Sequence, residues 1–244
     1  WDAIIDVCAY RPEEVVAVNA ALGKSVGKYI LISTVSVYDD SIPPLAQEDA
    51  PTTPTAELET LDTSTVPIME HYGALKVLCE LRATKLFPDC LIIRPTYVIG
   101  PDDYTGRFSA WVELIAKGGA VVAPEPKDSA LQYIDARDLA KFTILATEQS
   151  LSGAFHVANP SGGIPFAQVL ETIVAKVGGP DCTLNWMPIE TALQTPEAFP
   201  LWTQGEMVGI LQLDTTKALL AGLTSRDLAD TVQDIHLQLG AIKN

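Results

Sequence analysis

Unbroken apolar runs alternate along this chain with stretches of helical periodicity. Residues 1–8 and 29–34 are continuously apolar and read as buried strands; between them Pro12-Glu13-Glu14 opens a helix that stops near Gly23. Proline suits a first helical turn, and acids suit its positive end. A strand, helix and strand within about 33 residues form a βαβ unit, with parallel pairing and a right-handed crossover. Unbroken rather than alternating apolarity points to a sheet covered on both faces. A helix over 68–86 and a strand over 90–95 follow, ending in the turn Gly100-Pro101. Further on, 106–117 reads as helix, 119–123 as strand, 131–134 as strand, 135–147 as helix and 154–158 as strand. The pattern closes with a helix over 164–177 carrying Pro165 in its first turn, a strand over 183–187, irregular chain over 188–212, a short helix capped by Asp214-Thr215-Thr216, and a last helix over 224–239. Strands and helices alternate, which predicts an α/β doubly wound parallel sheet with a small C-terminal substrate lobe.

Residues 39–67 break the pattern. They hold Pro43, Pro44, Pro51, Pro54 and Pro67, many Ser and Thr, and the acids Glu48, Asp49, Glu57 and Glu59. A loop of that length reads either as a lid beside a site or as a mobile insert.

Composition narrows the function classes. Sixteen Lys and Arg against 31 Asp and Glu give a formal charge of −15 over 244 residues. Such a surface repels phosphate backbones, which argues against nucleic acid as a partner. No apolar run reaches the roughly 20 residues of a membrane span. Cys8, Cys79, Cys90 and Cys182 are scattered and read as buried thiols of a reducing, cytoplasmic compartment. His71, His156 and His236 have no metal-ligand spacing, so no metal is expected. Gly23-Lys24-Ser25 is not a phosphate loop, because the position five residues earlier is Val18; Gly23 reads as a helix stop.

The chemistry concentrates in one ordered set. Tyr72 and Lys76 stand four apart in Tyr72-Gly73-Ala74-Leu75-Lys76, on one face of the 68–86 helix. Upstream, the apolar strand ends in Ser33-Thr34-Val35-Ser36-Val37-Tyr38; downstream, a strand ends in Arg94-Pro95-Thr96-Tyr97-Val98. This set resembles the extended branch of the short-chain dehydrogenase/reductase superfamily, the NAD-dependent epimerases and dehydratases. The resemblance runs from Asp2 to roughly Leu239, with its best motifs between residues 28 and 140. It implies a Rossmann-like NAD(P)-binding domain over 1–160, with 101–130 contributing to the lobe and 161–244 forming most of the substrate-binding lobe. The family's opening strand and Gly-x-x-Gly-x-x-Gly turn have no counterpart here; the chain starts at Trp1 in what reads as the fourth strand, a truncation of the fold.

The resemblance implies an NAD(P)-dependent oxidoreductase or epimerase acting on a hydroxyl or carbonyl of a small molecule. Tyr72 is then the acid–base, Lys76 its electrostatic partner and a ribose ligand, and Thr34 the hydroxyl that fixes the substrate oxygen. A free tyrosine has a pKa of about 10, and bringing it to about 7 requires about 4 kcal/mol of phenolate stabilisation, which the Lys76 ammonium is expected to supply in part. Strand alternation places Thr34 and Ser36 on one side, and the family register favours Thr34. Ala9 and Tyr10 would line the cofactor's ribose and pyrophosphate, and Pro95, Thr96 and Val98 its nicotinamide; Arg94 reads as structural, and Asp135 and Asp138 as helix caps. The substrate side is assigned to Ser36, Tyr97, Arg107 and Gln132. Nucleotide-sugar members often carry Arg where this chain has Leu131-Gln132, and Asn where it has Tyr97. The expected substrate is therefore not a nucleotide sugar. The expected partners are that small molecule, neither nucleic acid nor membrane, with room for a homodimer. The competing readings are a non-catalytic binding protein and an inactive gene fragment of the same fold.

Because a glycine-rich turn normally supplies backbone N–H groups and a helix dipole to the pyrophosphate, this 244-residue chain by itself is expected to bind NAD or NADP weakly or not at all. Titration calorimetry showing low-micromolar affinity for either would refute this.

Overall fold

In a computed structural model, the structure describes residues 1–39, 41–56, 60, 62–195, 198–203 and 209–242. Strand β1 (Ala3–Asp6) leads into helix α1 (Pro12–Leu22), whose Pro12 and first-turn acids Glu13 and Glu14 are placed as the sequence predicts. Strand β2 (Lys28–Ile32) ends in a short 3-10 turn, Val35–Val37. Helix α2 (Tyr72–Leu86) starts four residues later than expected, so Tyr72 is its first residue. Strand β3 (Leu91–Pro95) is followed directly by β4 (Tyr97–Ile99), and helix α3 (Arg107–Ala116) by β5 (Ala120–Pro124). Next come β6 (Ala130–Asp135), α4 (Ala136–Glu148) and β7 (Gly153–Val157). Residues 159–165, expected partly as helix, form β8 (Asn159–Pro165), and Pro165 caps α5 (Phe166–Val177) instead of sitting inside it. The chain ends with β9 (Thr183–Met187), α6 (Ile189–Ala192), α7 (Thr216–Leu220) and α8 (Leu228–Ile242).

Four strands form a parallel sheet in the order β1-β2-β3-β7. Its register aligns Ile4 with Tyr29, Ile30 with Leu91 and Ile93 with Phe155. The inner strands are covered on both faces: Ile30, Leu31, Leu91 and Ile93 are fully buried. β1 lies at an edge and leaves Ile5 43% exposed, so its apolarity overstates its burial. One face packs on α1 and α2 through Val15, Tyr29, Leu31, Cys79, Ala83 and Ile92. The other packs on α4 through Phe142 and Ala146, joined by Ala218 of α7 and by Leu223. Part of the late chain thus returns to the sheet.

The lobe is built on two smaller sheets, β4-β6-β8 and β5-β9. Here β6 pairs parallel with β4 and antiparallel with β8. Helices α3, α5 and α8 cover a core of Phe108, Trp111, Phe166, Leu170 and Ile235. Asp135 caps α4 by accepting the Arg137 N–H at 2.9 Å, and Asp138 pairs with Arg226 at 2.9 Å. Asp135 is thus the cap expected of it, whereas Asp138, expected as a cap, lies in the first turn of α4 and binds Arg226 instead. Gly100 turns the chain after β4 with φ of +136°, a conformation that favours glycine.

The described parts of the 39–67 segment are tied down. Tyr38 bridges Thr52, the Leu45 N–H donates to the Gln212 carbonyl at 2.7 Å, and Arg11 donates to the Thr63 and Val66 carbonyls. Glu57 and Glu59, part of the acid run noted in the sequence, lie outside the described residues. Cys79 and Cys90 are buried as expected; Cys182 is only partly buried and Cys8 is exposed, which corrects the reading of all four as buried thiols. Among the described residues no helix is long and apolar enough to cross a membrane, and no cluster of three or more His, Cys, Asp or Glu is placed to hold a metal.

Ile93 lies at the centre of the buried sheet. Truncating it to Ala is expected to lower unfolding free energy by about 2–5 kcal/mol in urea titrations. A loss below about 0.5 kcal/mol would contradict the placement of β3 inside the sheet.

Candidate active site

The carboxyl ends of β1 and β2 meet the first two turns of α2. At the end of β1 the buried Asp6 carboxylate organises the exit turn: Oδ1 accepts the N–H groups of Cys8 (3.1 Å) and Ala9 (2.9 Å), and Oδ2 accepts the Tyr29 hydroxyl (2.7 Å). The turn presents the Ala9 carbonyl to Lys76. Lys76 is 3% exposed, and its Nζ donates to the carbonyls of Ala9 (2.8 Å) and Ile32 (2.7 Å). One ammonium thus joins the ends of β1 and β2 to α2. Burial pulls its pKa below the usual lysine range, while nearby acidic groups, including Asp6 and Glu80, oppose that fall. The Tyr10 ring lies 5.8 Å from this nitrogen and 6.2 Å from the Tyr72 ring.

After Ile32 the chain leaves the extended conformation of the sheet. Thr34 caps the 3-10 turn: its Oγ1 accepts the Ser36 N–H at 3.1 Å and donates to Ser36 Oγ at 3.2 Å. Strand alternation therefore does not govern the choice between these two hydroxyls. Tyr72 is the first residue of α2, and Gly73 beside it touches the turn that carries Thr34, so the phenol and the threonine lie at the same sheet edge. Burial pushes the half-buried Tyr72 phenol above its usual pKa, and the Thr34 hydroxyl pulls the other way.

Gly73 makes this approach possible. A Cβ there would stand 2.0 Å from the Ser36 carbonyl oxygen. Only a residue without a side chain lets α2 start against the turn that carries Thr34 and Ser36.

The third expected element is more divided. Pro95 is buried at the end of β3, Thr96 is buried with its Oγ1 unpartnered, and Val98 packs partly buried on the sheet core. The Tyr97 hydroxyl shares a hydrogen bond with Thr203 Oγ1 at 3.2 Å, and the exposed Arg107 guanidinium lies 4.9 Å over the Tyr97 ring. Gln132 does not line a ligand surface: it is fully buried, its amide donates to the Pro160 (2.8 Å) and Leu213 (2.9 Å) carbonyls, and its oxygen accepts the Leu213 N–H at 3.2 Å. Both of its N–H bonds are used in holding the lobe together, which corrects its assignment to the substrate. Arg94 is structural as expected, forking onto Glu80 at 3.0 and 2.7 Å.

Sequence reasoning passed over Asp6, Glu80 and Tyr104. Glu80 follows Lys76 by four residues and shares the face of Tyr72 and Lys76, a spacing that could have pointed to it. Tyr104 is 94% exposed and raises the Tyr72 pKa electrostatically; no spacing signals that proximity.

Comparison with known proteins places the chain in a family. The model of the NAD dependent epimerase/dehydratase family matches residues 13–158, more than half of the chain. The chain belongs to that family. No curated protein sequence matches it. Among solved structures it is similar to a UDP-N-acetylglucosamine 4-epimerase from Bacillus cereus, with 17% identity, a TM-score of 0.65, and coverage of 97% of this chain and 78% of that one. It is also similar to a UDP-glucuronic acid 4-epimerase from Bacillus cereus in complex with NAD (17% identity, TM-score 0.64), covering 92% of this chain and 63% of that one. A dTDP-4-dehydrorhamnose reductase from Clostridium acetobutylicum matches over all of this chain and 81% of its own, with 16% identity and a TM-score of 0.63. At such identities these likenesses establish the fold.

Gly73→Ala is expected to push the start of α2 away from Ser36. The variant should lose about 1–3 kcal/mol of stability. Nuclear magnetic resonance shifts should move at residues 34–38 more than at 91–95; equal shifts at both would refute the close approach as the cause.

Proposed function

We propose that this family member is an NAD(P)-dependent oxidoreductase or epimerase-like enzyme acting on a hydroxyl or carbonyl of a small molecule, with Tyr72 as the acid–base. The observation that carries this reading is the seating of the Tyr72 end of α2 against the Thr34–Ser36 turn at the carboxyl edge of the parallel sheet, with Lys76 anchored beneath. Open α/β sheets bind their ligands at that edge. Two features fit a nicotinamide cofactor there. Lys76 gives two carbonyls two of the three donors an ammonium has, and Thr96 Oγ1 is buried without a partner. Ala9, Tyr10, Lys76, Pro95, Thr96 and Val98 would hold it. A nicotinamide bound there accepts or supplies the hydride.

The protein's own part is proton transfer and positioning. Thr34 Oγ1 and Tyr72 Oη would offer two hydrogen-bonding groups to one substrate oxygen. For oxidation, Tyr72 Oη takes the proton of the substrate hydroxyl; for reduction, it returns a proton to the developing alkoxide. The upward pKa of Tyr72 in the cofactor-free chain keeps the phenol protonated, the form that reduction needs. Oxidation needs the phenolate, which a positive charge brought close to Oη would favour.

A substrate other than a nucleotide sugar is supported by two features. The position where such enzymes often carry a diphosphate-binding Arg is occupied by the buried Gln132. The formal charge of −15 agrees with the lack of a cationic clamp for a substrate diphosphate. Tyr97, with Arg107 stacked on it, and Ser36 beside Thr34 would contact the substrate.

In the natural protein that carries this chain, Tyr72→Phe is expected to keep fold and cofactor affinity while turnover falls about 10²–10⁴-fold. Nicotinamide absorbance across a panel of small alcohols and carbonyl compounds would follow it. Unchanged turnover would assign the proton transfer to another group.

A further inference from the structure

Beneath the hydroxyl turn, and separate from the Tyr72–Lys76 pair, lies a buried polar chain that the mechanism does not use. Arg94 is 6% exposed; beyond its fork onto Glu80, its remaining terminal nitrogen donates to the Tyr38 hydroxyl (2.5 Å) and to the Glu48 carbonyl (2.9 Å). Tyr38 is 3% exposed, and its oxygen lies 2.6 Å from Nε2 of His156, which has no exposure at all. The other ring nitrogen, Nδ1, lies 2.9 Å from the Asp214 carbonyl. Glu48 Oε1 accepts the main-chain N–H of His156 at 2.9 Å. Ser33, next to Thr34, donates to Glu80 at 2.5 Å.

Donor and acceptor logic assigns every proton. A carbonyl only accepts, so Nδ1 carries the hydrogen and donates it to Asp214. The guanidinium only donates, so Tyr38 Oη accepts from Arg94 and gives its own proton to Nε2. His156 is therefore neutral, with Nε2 as the acceptor.

We propose that Tyr38 and His156 are positioning residues: with Arg94 and Glu48 they form a latch that holds the Thr34–Tyr38 turn and residues 41–56 onto the carboxyl edge of the sheet, and the latch is closed only while His156 is neutral. Each component comes from a different part of the chain. Tyr38 ends the hydroxyl turn, Glu48 belongs to the acidic loop, Arg94 to β3, His156 to β7 and Asp214 to the segment before α7. The same loop is joined to that last segment by the Asp214 N–H donating to Ala46 at 3.1 Å and by Gln47 reaching the Asp214 carboxylate at 3.3 Å.

Protonating His156 would place an N–H against an oxygen that Arg94 already occupies, and a second cation beside Arg94 in a fully buried site. The charged groups that face the ring are Arg94, which disfavours the proton, and Glu48 and Asp214, which favour it; Tyr38 is the hydroxyl between them. Burial is the largest influence and holds the His156 pKa below its ordinary value of 6.5. A depressed folded-state pKa gives stability that is present above the unfolded value and lost as pH falls through the folded one. The latch thus opens on the acid side. Its consequence for turnover rests on the reading of Thr34 given above; the latch itself does not.

Two measurements on the unmodified chain test this. Nitrogen-15 resonances of His156 are expected to show a neutral ring with hydrogen on Nδ1 at neutral pH. Hydrogen exchange, corrected for its intrinsic pH dependence, is expected to rise about tenfold or more in residues 34–38 and 41–56 as His156 titrates, with no rise in 28–32 or 91–93. Tyr38→Phe should leave the loop exchanging fast at every pH, and His156→Gln should make its exchange independent of pH. A charged His156 at neutral pH would overturn the proposal, as would loop and sheet exchange that rise together. So would an unchanged acid response in His156→Gln; should that variant not fold, the wild-type titration and Tyr38→Phe still decide. None of these readouts depends on turnover, so failure of the latch and failure of the Tyr72 mechanism are told apart.

Discussion

The buried ammonium of Lys76 is the constraint on which the site depends. Removing an ammonium from water costs several kcal/mol, and the charge persists only where acceptors replace the lost hydration. Here the acceptors are two main-chain carbonyls, Ala9 and Ile32, at the ends of adjacent parallel strands. The side chain can satisfy both only if β1, β2 and α2 keep one mutual arrangement. That arrangement aims the start of α2 at the turn after β2, where Gly73 allows near contact with Ser36.

A second buried charge, one helical turn further along α2, reinforces the same face. Glu80 receives both nitrogens of the Arg94 fork and the Ser33 hydroxyl. Breaking one partner of such a pair strands the other in a low-dielectric interior, a cost of about 3–5 kcal/mol. Tyr72, Lys76 and Glu80 therefore act as one stripe. Its inner members, Lys76 and Glu80, fix the helix against β1, β2 and β3, and Tyr72 stands at its outer end. The acidic loop joins this framework through Glu48, so a segment poor in regular structure is nevertheless attached to the centre of the sheet.

Membership of the NAD dependent epimerase/dehydratase family and likeness to epimerases and reductases of low identity give the site its context. The lobe has its own logic. Gln132 spends its amide on the Pro160 and Leu213 backbone, and Arg137 bridges Asp135 and Asp234 between α4 and α8. With these polar groups committed to architecture, Arg107 on the Tyr97 ring is a cation of the expected substrate side left exposed.

Much of this protein was legible in its residues. Apolar runs over β1 and β2 implied a sheet covered on both faces, because a parallel strand buried on two sides has no reason to alternate; this holds for β2, whereas β1 lies at an edge with Ile5 exposed. The four-residue spacing of Tyr72 and Lys76 put both on one helix face, because 3.6 residues make a turn. Asp135 as a cap and Arg94 as a structural cation were likewise readable from local chemistry. What the order of residues could not show was which distant groups would share a buried volume. Whether the cation of Lys76 meets two carbonyls and whether Gln132 meets a ligand or a backbone depend on contacts across 28 to 81 positions of sequence. Such contacts follow from how the strands stack and where the turns bring them. His156 is the extreme case: nothing beside it in sequence announces a role, and its tautomer is set by a tyrosine 118 residues earlier and a carbonyl 58 residues later. Periodicity and capping are local, and the sequence determines them; proton placement and burial of charge depend on which long-range partners replace water, and only the tertiary structure decides that.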